Sequence, residues 1–310
     1  MIPPGTILRN RYEIIKDLGG GGFGDTYLAI DLDLPEKPHC VVKHLQPKNP
    51  RADLSLARRL FDTEAQVLYN LGNQCQQIPT FFDNFEENGQ FYLVQEFIDG
   101  HDLKTEIIAG QQLSESDVIT LLKSILEVLA VAHEHQPKAV IHRDIKPANL
   151  MRRRQDDKII LIDFGAVKEI NQLIVQANGD VTTTVPIGTP GYRPREQAKG
   201  KPKLCSDVYA VGMIGIQALT GIPPHQLPED PNTKEVIWRN WVPKVDSRLA
   251  DVLDKMVRDH FSQRYQNAGE ALQALLFLSQ PPGTPAPTPT PAPTSQRFDC
   301  EGVTIDGGVL

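Results

Sequence analysis

"VIHRDIKPANLM", residues 140–151, is the stretch on which the reading of this chain turns. Asp144 and Asn149 lie five positions apart, Lys146 stands between them, and Pro147 stiffens the turn. A carboxylate that can accept a hydroxyl proton, an amide that can ligate a metal and an ammonium that can neutralise developing negative charge therefore share one short loop. A second stretch, "IILIDFGAV" at 159–167, brings an apolar strand to its end at Asp163, just before Gly165. There a metal-binding carboxylate can face phosphate groups. Together the two stretches imply phosphoryl-transfer chemistry.

Towards the N-terminus, "GGGGFGDTY" at 19–27 contains the spacing Gly19-x-Gly21-x-x-Gly24. A dinucleotide-binding loop opens a helix, and a Walker loop ends in Gly-Lys-Ser/Thr. Here the glycines run into "TYLAI", which is strand-like, so a strand-turn-strand hairpin is expected. Such a backbone can fold over phosphates, although a glycine hairpin without function has the same pattern. In "CVVKHL", Lys43 sits within an apolar strand, where a buried ammonium is costly unless paired. Phosphate groups and Glu64 of the next helical segment are its natural partners. A Lys43 that snorkels to the surface beside a solvated Glu64 is the alternative.

From Arg11 to Phe97 the chain is strand-rich, with one helical segment, "SLARRLFDTEAQVLYNLG" at 55–72, expected to end at Gly72. Beyond Gly100 it turns helical. "SESDVITLLKSILEVLAVAHEH" opens with a capping-box-like Ser114 and Asp117, and "SDVYAVGMIGIQALTG" reads as a buried helix ended by Gly221. The fold class expected is therefore α+β and bilobal: a small β-rich N-lobe with one helix, and a larger α-helical C-lobe. The chain has 310 residues, 40% hydrophobic and 23% charged, with a formal net charge of −7. That balance argues against a nucleic-acid coat, which needs a basic face. Cys40, Cys75, Cys205 and Cys300 form no CxxC pair, so a reducing, cytoplasmic setting is the simple expectation. No signal peptide or membrane span is visible in the sequence. Residues 281–294, "PPGTPAPTPTPAPT", read as an extended linker, and 295–310 as a short tail with more protein expected to follow. Tethering to a membrane by such a further region stays open.

These motifs resemble the eukaryotic-type (Hanks-type) protein kinase catalytic domain over residues 12–278, with an N-lobe of 12–97 and a C-lobe of 98–278. "GGFGDTYLAIDLD", "CVVKHL" and "GTPGYRPREQ" are similar to bacterial, particularly cyanobacterial, serine/threonine kinases. The resemblance implies a transfer of the ATP γ-phosphoryl group to a protein Ser or Thr hydroxyl, with Mg²⁺ or its substitute Mn²⁺. Gly19, Gly21 and Gly24 would cover the phosphates, and Lys43 would hold them while paired with Glu64. Asp144 would be the catalytic base and Lys146 would steady the transferred group. Asn149 and Asp163 would ligate the metal. In "VQEFIDG", Gln95 matches the gatekeeper, and the backbone of Glu96 and Ile98 would reach the adenine edge. Thr26, Val41 and Met151 would pack on the ring.

The same resemblance implies that Arg143 meets a phosphate on the activation segment, with Thr182, Thr183 and Thr184 as candidate phosphorylation sites and autophosphorylation as a route to them. Thr189 would touch the catalytic aspartate. Glu196 and Arg264 match a structural ion pair, and Asp207 would anchor the catalytic loop. Thr26 and Val41 stand where the family usually has valine and alanine, and Arg195 stands where it has proline, a charge that needs an outlet. A binding scaffold of the same fold would lack a catalytic residue, and none is missing. A small-molecule kinase is disfavoured by "GTPGYRPREQ", which resembles a peptide-holding loop. "HEH" at 133–135 and "RRR" at 152–154 read as structural features, the latter as the tip of a hairpin between strands.

Overall fold

Alternation along "HCVVKHL" sets which way the small sheet faces, because successive strand residues point to opposite sides. The computed structural model describes residues 1–21, 24–45, 54–164 and 189–278, and of residues 54–60, 63 and 64 only the backbone. Met1–Ser279 pack as one unit. Thr182, Thr183 and Thr184, the linker and the tail lie outside the described residues.

Strands β1 (Ile7–Leu8), β2 (Tyr12–Gly21), β3 (Gly24–Asp31), β4 (His39–Leu45), β5 (Phe81–Glu87) and β6 (Gln90–Glu96) form one antiparallel sheet in the order β1-β2-β3-β4-β6-β5. Cys40 and Val42 of β4 join Tyr27, Phe85, Tyr92 and Val94 in a buried cluster on the outer face. Val41 and Lys43, one residue out of phase, are left for the opposite face. A one-residue slip would exchange the two sets, so the apolar outer cluster fixes the direction of Lys43.

Helix α1 (Leu54–Gln74) lies against β5 and β6 and sends Phe61, Ala65, Leu68 and Leu71 into the main core. It runs past Gly72, contrary to the expectation that this glycine ends it. A Cβ at position 72 would stand 2.8 Å from the Pro79 carbonyl oxygen, so the glycine serves a close approach between the helix and the following chain.

In the larger lobe, α2 (Glu115–Glu134) packs on two later helices, α4 (Leu204–Thr220) and α6 (Ala268–Leu278). The expected cap is present: Ser114 Oγ accepts from the Asp117 amide at 3.2 Å. Helix α4 is buried along almost its whole length and ends at Gly221, whose φ of 70° is left-handed. Its fully buried Val208, Val211, Ile214 and Ile216 each contribute roughly 1.5–3 kcal/mol of burial free energy. The short α3 (Arg195–Ala198) precedes it, and α5 (Ser247–Met256) packs against it. A second antiparallel sheet, β7 (Gly100–Asp102), β8 (Leu150–Arg153) and β9 (Ile159–Leu161), lies beside the loop of 140–151. Of the arginines expected at a hairpin tip, only Arg154 lies in the turn to β9; Arg152 and Arg153 belong to β8 itself, with Arg152 bonded to Glu106 at 2.7 Å and Arg153 to Asp156 at 2.7 Å. Among the described residues, no helix is long and apolar enough to cross a membrane.

One partly buried ion pair makes the small lobe acid-sensitive. Arg11 Nε and Nη2 donate to the two oxygens of buried Asp31 at 2.8 and 2.7 Å. Those bonds hold the Asp31 carboxyl below its usual range, against an opposing effect of burial. A depressed folded-state pKa gives stability that is present above the unfolded value of about 4 and is lost as pH falls through the folded value. Arg11→Met is therefore expected to lose about 1–3 kcal/mol at neutral pH. Its deficit should narrow below about pH 4, as urea unfolding of the two proteins across that range would show.

Candidate active site

The loop between α2 and β8 closes with a tight helical turn over Pro147–Asn149. Asp144 is buried, and Lys146 Nζ lies 2.8 Å from its Oδ2. The Asn149 amide nitrogen donates to both the backbone oxygen and Oδ2 of Asp144, each at 2.8 Å. Two acceptors on one side of the amide identify its nitrogen, which leaves Oδ1 to face elsewhere. Sequence spacing thus becomes geometry: the three predicted residues meet around one carboxylate.

Asp207, buried in α4, holds this loop by its backbone. Its Oδ2 accepts from the His142 amide and its Oδ1 from the Arg143 amide, both at 2.8 Å. His133 Nε2 donates to the same Oδ2 at 3.2 Å, while its Nδ1 accepts from the Ala268 amide at 3.0 Å. The histidine is thus a bridge from α6 to Asp207, in keeping with its structural reading.

His142, which the sequence reading passed over, ties the two site loops together. Its Nδ1 accepts from the Asp144 amide at 3.3 Å, and Nε2 lies 3.0 Å from the Ile162 carbonyl, to which it donates. The Ile162 amide in turn donates to the Asn149 carbonyl at 3.0 Å. Clamped on both sides, Ile162 fixes the start of the next loop, where Asp163 takes a left-handed φ of 67°. Arg143 is also left-handed, at 69°. Each such non-glycine conformation costs on the order of 1–3 kcal/mol and persists only where the surroundings impose it.

Across the cleft, Lys43 Nζ stands 3.1 Å from Asp163 Oδ1. Glu64 lies in α1, and its side chain is outside the described set. In the sheet register Thr26 pairs with Lys43 and Val41 with Gln95, so residues expected at the adenine ring share the inner face with the lysine. Val41, Gln95 and Ile98 are buried, and Met151 of β8 is partly buried. The Glu96 side chain turns away, accepting from the Thr80 amide and hydroxyl at 3.0 and 2.9 Å.

Gly19, Gly20 and Gly21 pair with Thr26, Asp25 and Gly24 in the expected hairpin. Gly24 has a φ of 149°, and a Cβ there would lie 1.9 Å from the His44 carbonyl oxygen, so no side chain fits. A register shift between Asp17 and Gly19 bulges Leu18 out of the ladder with 43% exposure. Sequence reasoning missed Leu18; the available signal was an apolar residue set directly before the glycines.

Below the loop, Arg143, Asp144, Thr189, Tyr192 and Arg193 line a small recess. Gln197 donates to the Arg143 carbonyl at 2.5 Å, and the Tyr192 hydroxyl to Gln217. Arg264 binds Glu196 at 2.6 and 3.2 Å, a buried pair to which Ser206 adds a hydroxyl at 2.8 Å. Arg195 has its outlet: Glu229 at 2.9 Å and Asp259 at 2.8 Å.

The residues fit a hard divalent cation bound together with a nucleotide. Among the described residues no group of three His, Cys, Asp or Glu could hold a metal ion. An Asn149 oxygen and a 46% exposed Asp163 carboxylate are instead a sparse oxygen set of the kind that suits a hard divalent cation, whose remaining ligands would be phosphates and water.

Comparison with known proteins agrees with this arrangement. Residues 12–277 match the protein kinase domain family. The chain is 42% identical over 283 residues to serine/threonine-protein kinase PknA of Nostoc sp., covering 90% of this chain and 50% of that protein. It is 43% identical over 277 residues to serine/threonine-protein kinase C of Synechocystis sp., covering 89% and 51%. The chain thus spans about half the length of these curated relatives. Among solved structures, the Mycobacterium tuberculosis PknI kinase domain superposes with a TM-score of 0.66 at 23% identity, over 89% of this chain and 99% of that one. With residues 12–277 matched, this chain belongs to the protein kinase domain family.

Proposed function

We propose that this chain is the catalytic domain of a serine/threonine protein kinase, which transfers the γ-phosphoryl group of ATP to a protein hydroxyl. The observation that carries the reading is the convergence of Lys146 and Asn149 on buried Asp144. Bound Mg²⁺ and ATP supply the electrophilic phosphoryl group and the cation that draws charge from it. Asp144 accepts the proton of the attacking hydroxyl, and Lys146 offsets the charge that gathers beside it. Asn149 Oδ1 and Asp163 hold the cation, Mg²⁺ by preference and Mn²⁺ as its substitute. Lys43, with Glu64 as its second carboxylate, holds the phosphates that Gly19, Gly21 and Gly24 cover. Thr26, Val41, Met151 and Leu18 enclose the base, Gln95 limits the depth of the pocket, and the backbone of Glu96 and Ile98 meets its edge.

Arg143 is the proposed receiver of a phosphate on Thr182, Thr183 or Thr184, and Thr189 orients the acceptor beside Asp144. Autophosphorylation is the proposed source of that phosphate, and cytoplasmic signalling the proposed setting. A net charge of −7 supports a protein substrate over nucleic acid. Lys43→Ala is the direct test. Transfer of labelled phosphate to a protein acceptor should fall about a hundredfold, the cost of one preorganised phosphate donor. Chelation of divalent cations should stop it altogether. Undiminished transfer in either case would overturn the reading.

A further inference from the structure

The glycine hairpin is held from the side that faces away from the cleft. Glycines have no side chains with which to keep a position, so the place of this backbone is set by its neighbours. On β3 the residues that follow the turn alternate: Thr26 faces inward, while Asp25 and Tyr27 face outward, Tyr27 fully buried in the outer cluster. Asp25 pairs in register with Gly20. Its Oδ1 lies 2.5 Å from the Cβ that Gly20 lacks, so carboxylate and hairpin are in close packing. The Tyr27 hydroxyl donates to the other oxygen, Oδ2, at 3.1 Å. That hydroxyl in turn accepts from the Ile2 amide at 2.9 Å.

Ile2 belongs to a segment laid across the outer face of the sheet. Ile2 packs on the apolar cluster, the Gly5 amide donates to the Ile14 carbonyl at 2.8 Å, and the Thr6 carbonyl accepts from the Ile14 amide at 2.9 Å. Ile7–Leu8 then pair with β2 as the edge strand. The segment is thus fixed at the sheet edge and reaches, through one tyrosine hydroxyl, a residue of the hairpin itself.

We propose that Met1–Leu8 is a strap that holds the glycine hairpin over the nucleotide cleft through Ile2, Tyr27 and Asp25, so that Tyr27 and Asp25 are positioning residues for ATP. The proposal rests on the kinase reading above. It means that whatever loosens residues 1–8 from the sheet is felt at the phosphates.

Tyr27→Phe keeps the ring in the apolar cluster and removes only the hydroxyl that links Ile2 to Asp25. In the full chain it should raise the KM for ATP about 3- to 10-fold, the worth of a hydrogen bond, with kcat within about twofold. Amide hydrogen exchange should quicken in residues 19–27 and not elsewhere in the sheet. Asp25→Ala, which removes the acceptor of that hydroxyl, should behave as Tyr27→Phe. Deleting residues 1–5 should quicken hairpin exchange at least as much as Tyr27→Phe does, because it removes the Ile2 amide together with the Met1 amine that lies 3.7 Å from Asp25 Oδ2 and the Gly5 bond to Ile14. An unchanged KM and exchange in Tyr27→Phe would overturn the strap, as would quickened exchange spread evenly over the small lobe. Should the parent chain transfer no phosphate, the kinase reading fails by itself. Hairpin exchange and the affinity for a fluorescent ATP analogue would still decide the strap.

Discussion

Asp144→Asn is expected to lower kcat for phosphate transfer by about a thousandfold, the usual worth of a positioned general base. The asparagine is nearly isosteric and keeps a carbonyl oxygen for Asn149 and Lys146, which now meet a carboxylate oxygen at 2.8 Å each. The loop is also held by backbone bonds to Asp207 that the change does not touch. ATP affinity and melting temperature should therefore stay close to those of the parent, and only the proton acceptor is lost. Steady-state kinetics together with nucleotide binding separate these quantities. A variant that retains more than a tenth of the parental kcat would remove Asp144 from the proposed role.

The largest effect on stability is expected from Arg264→Ala. This guanidinium is wholly buried; besides Glu196 it donates to the carbonyls of Arg258, Asp259 and Cys205 at 2.6, 2.8 and 3.3 Å. It also lies over the Tyr209 ring at 4.8 Å. Its removal strands the Glu196 carboxylate in the interior and takes a donor from the Arg258 and Asp259 carbonyls, at a cost of about 3–5 kcal/mol. For a domain of this size that is a fall in melting temperature of roughly 10 °C. Replacing both partners with apolar residues, Glu196→Leu with Arg264→Met, should cost less than Arg264→Ala alone, since no bare charge remains. Calorimetry of the single and double variants checks the order.

Much of this was legible before any coordinates. The exit of the glycines into "TYLAI" identified a hairpin, and β2 and β3 form it. Ser114 and Gly221 marked helix ends because capping chemistry is local. Gly72 misled because the same residue serves two purposes: a helix stop is written in neighbouring residues, whereas contact with Pro79 is made by a turn of chain whose path the sequence does not display. The partners of Arg195 were hidden for a like reason. Glu229 and Asp259 are distant in sequence, and nothing local marks them as neighbours. His142 escaped notice because it serves by bonding backbone groups on two loops at once, and backbone groups carry no signature in the sequence.

The hold of Asp207 on Arg143 has a bearing on how such a domain can diverge. The bond from 64 residues downstream is made to the amide of Arg143, not to its guanidinium. Every residue except proline offers that amide. The place of Asp144 is thereby insulated from the identity of the side chain before it, subject only to the left-handed φ of 69°, which glycine and asparagine meet most easily. Position 143 can be rewritten over generations, gaining or shedding the phosphate contact proposed for it, while the chemistry next door is inherited intact.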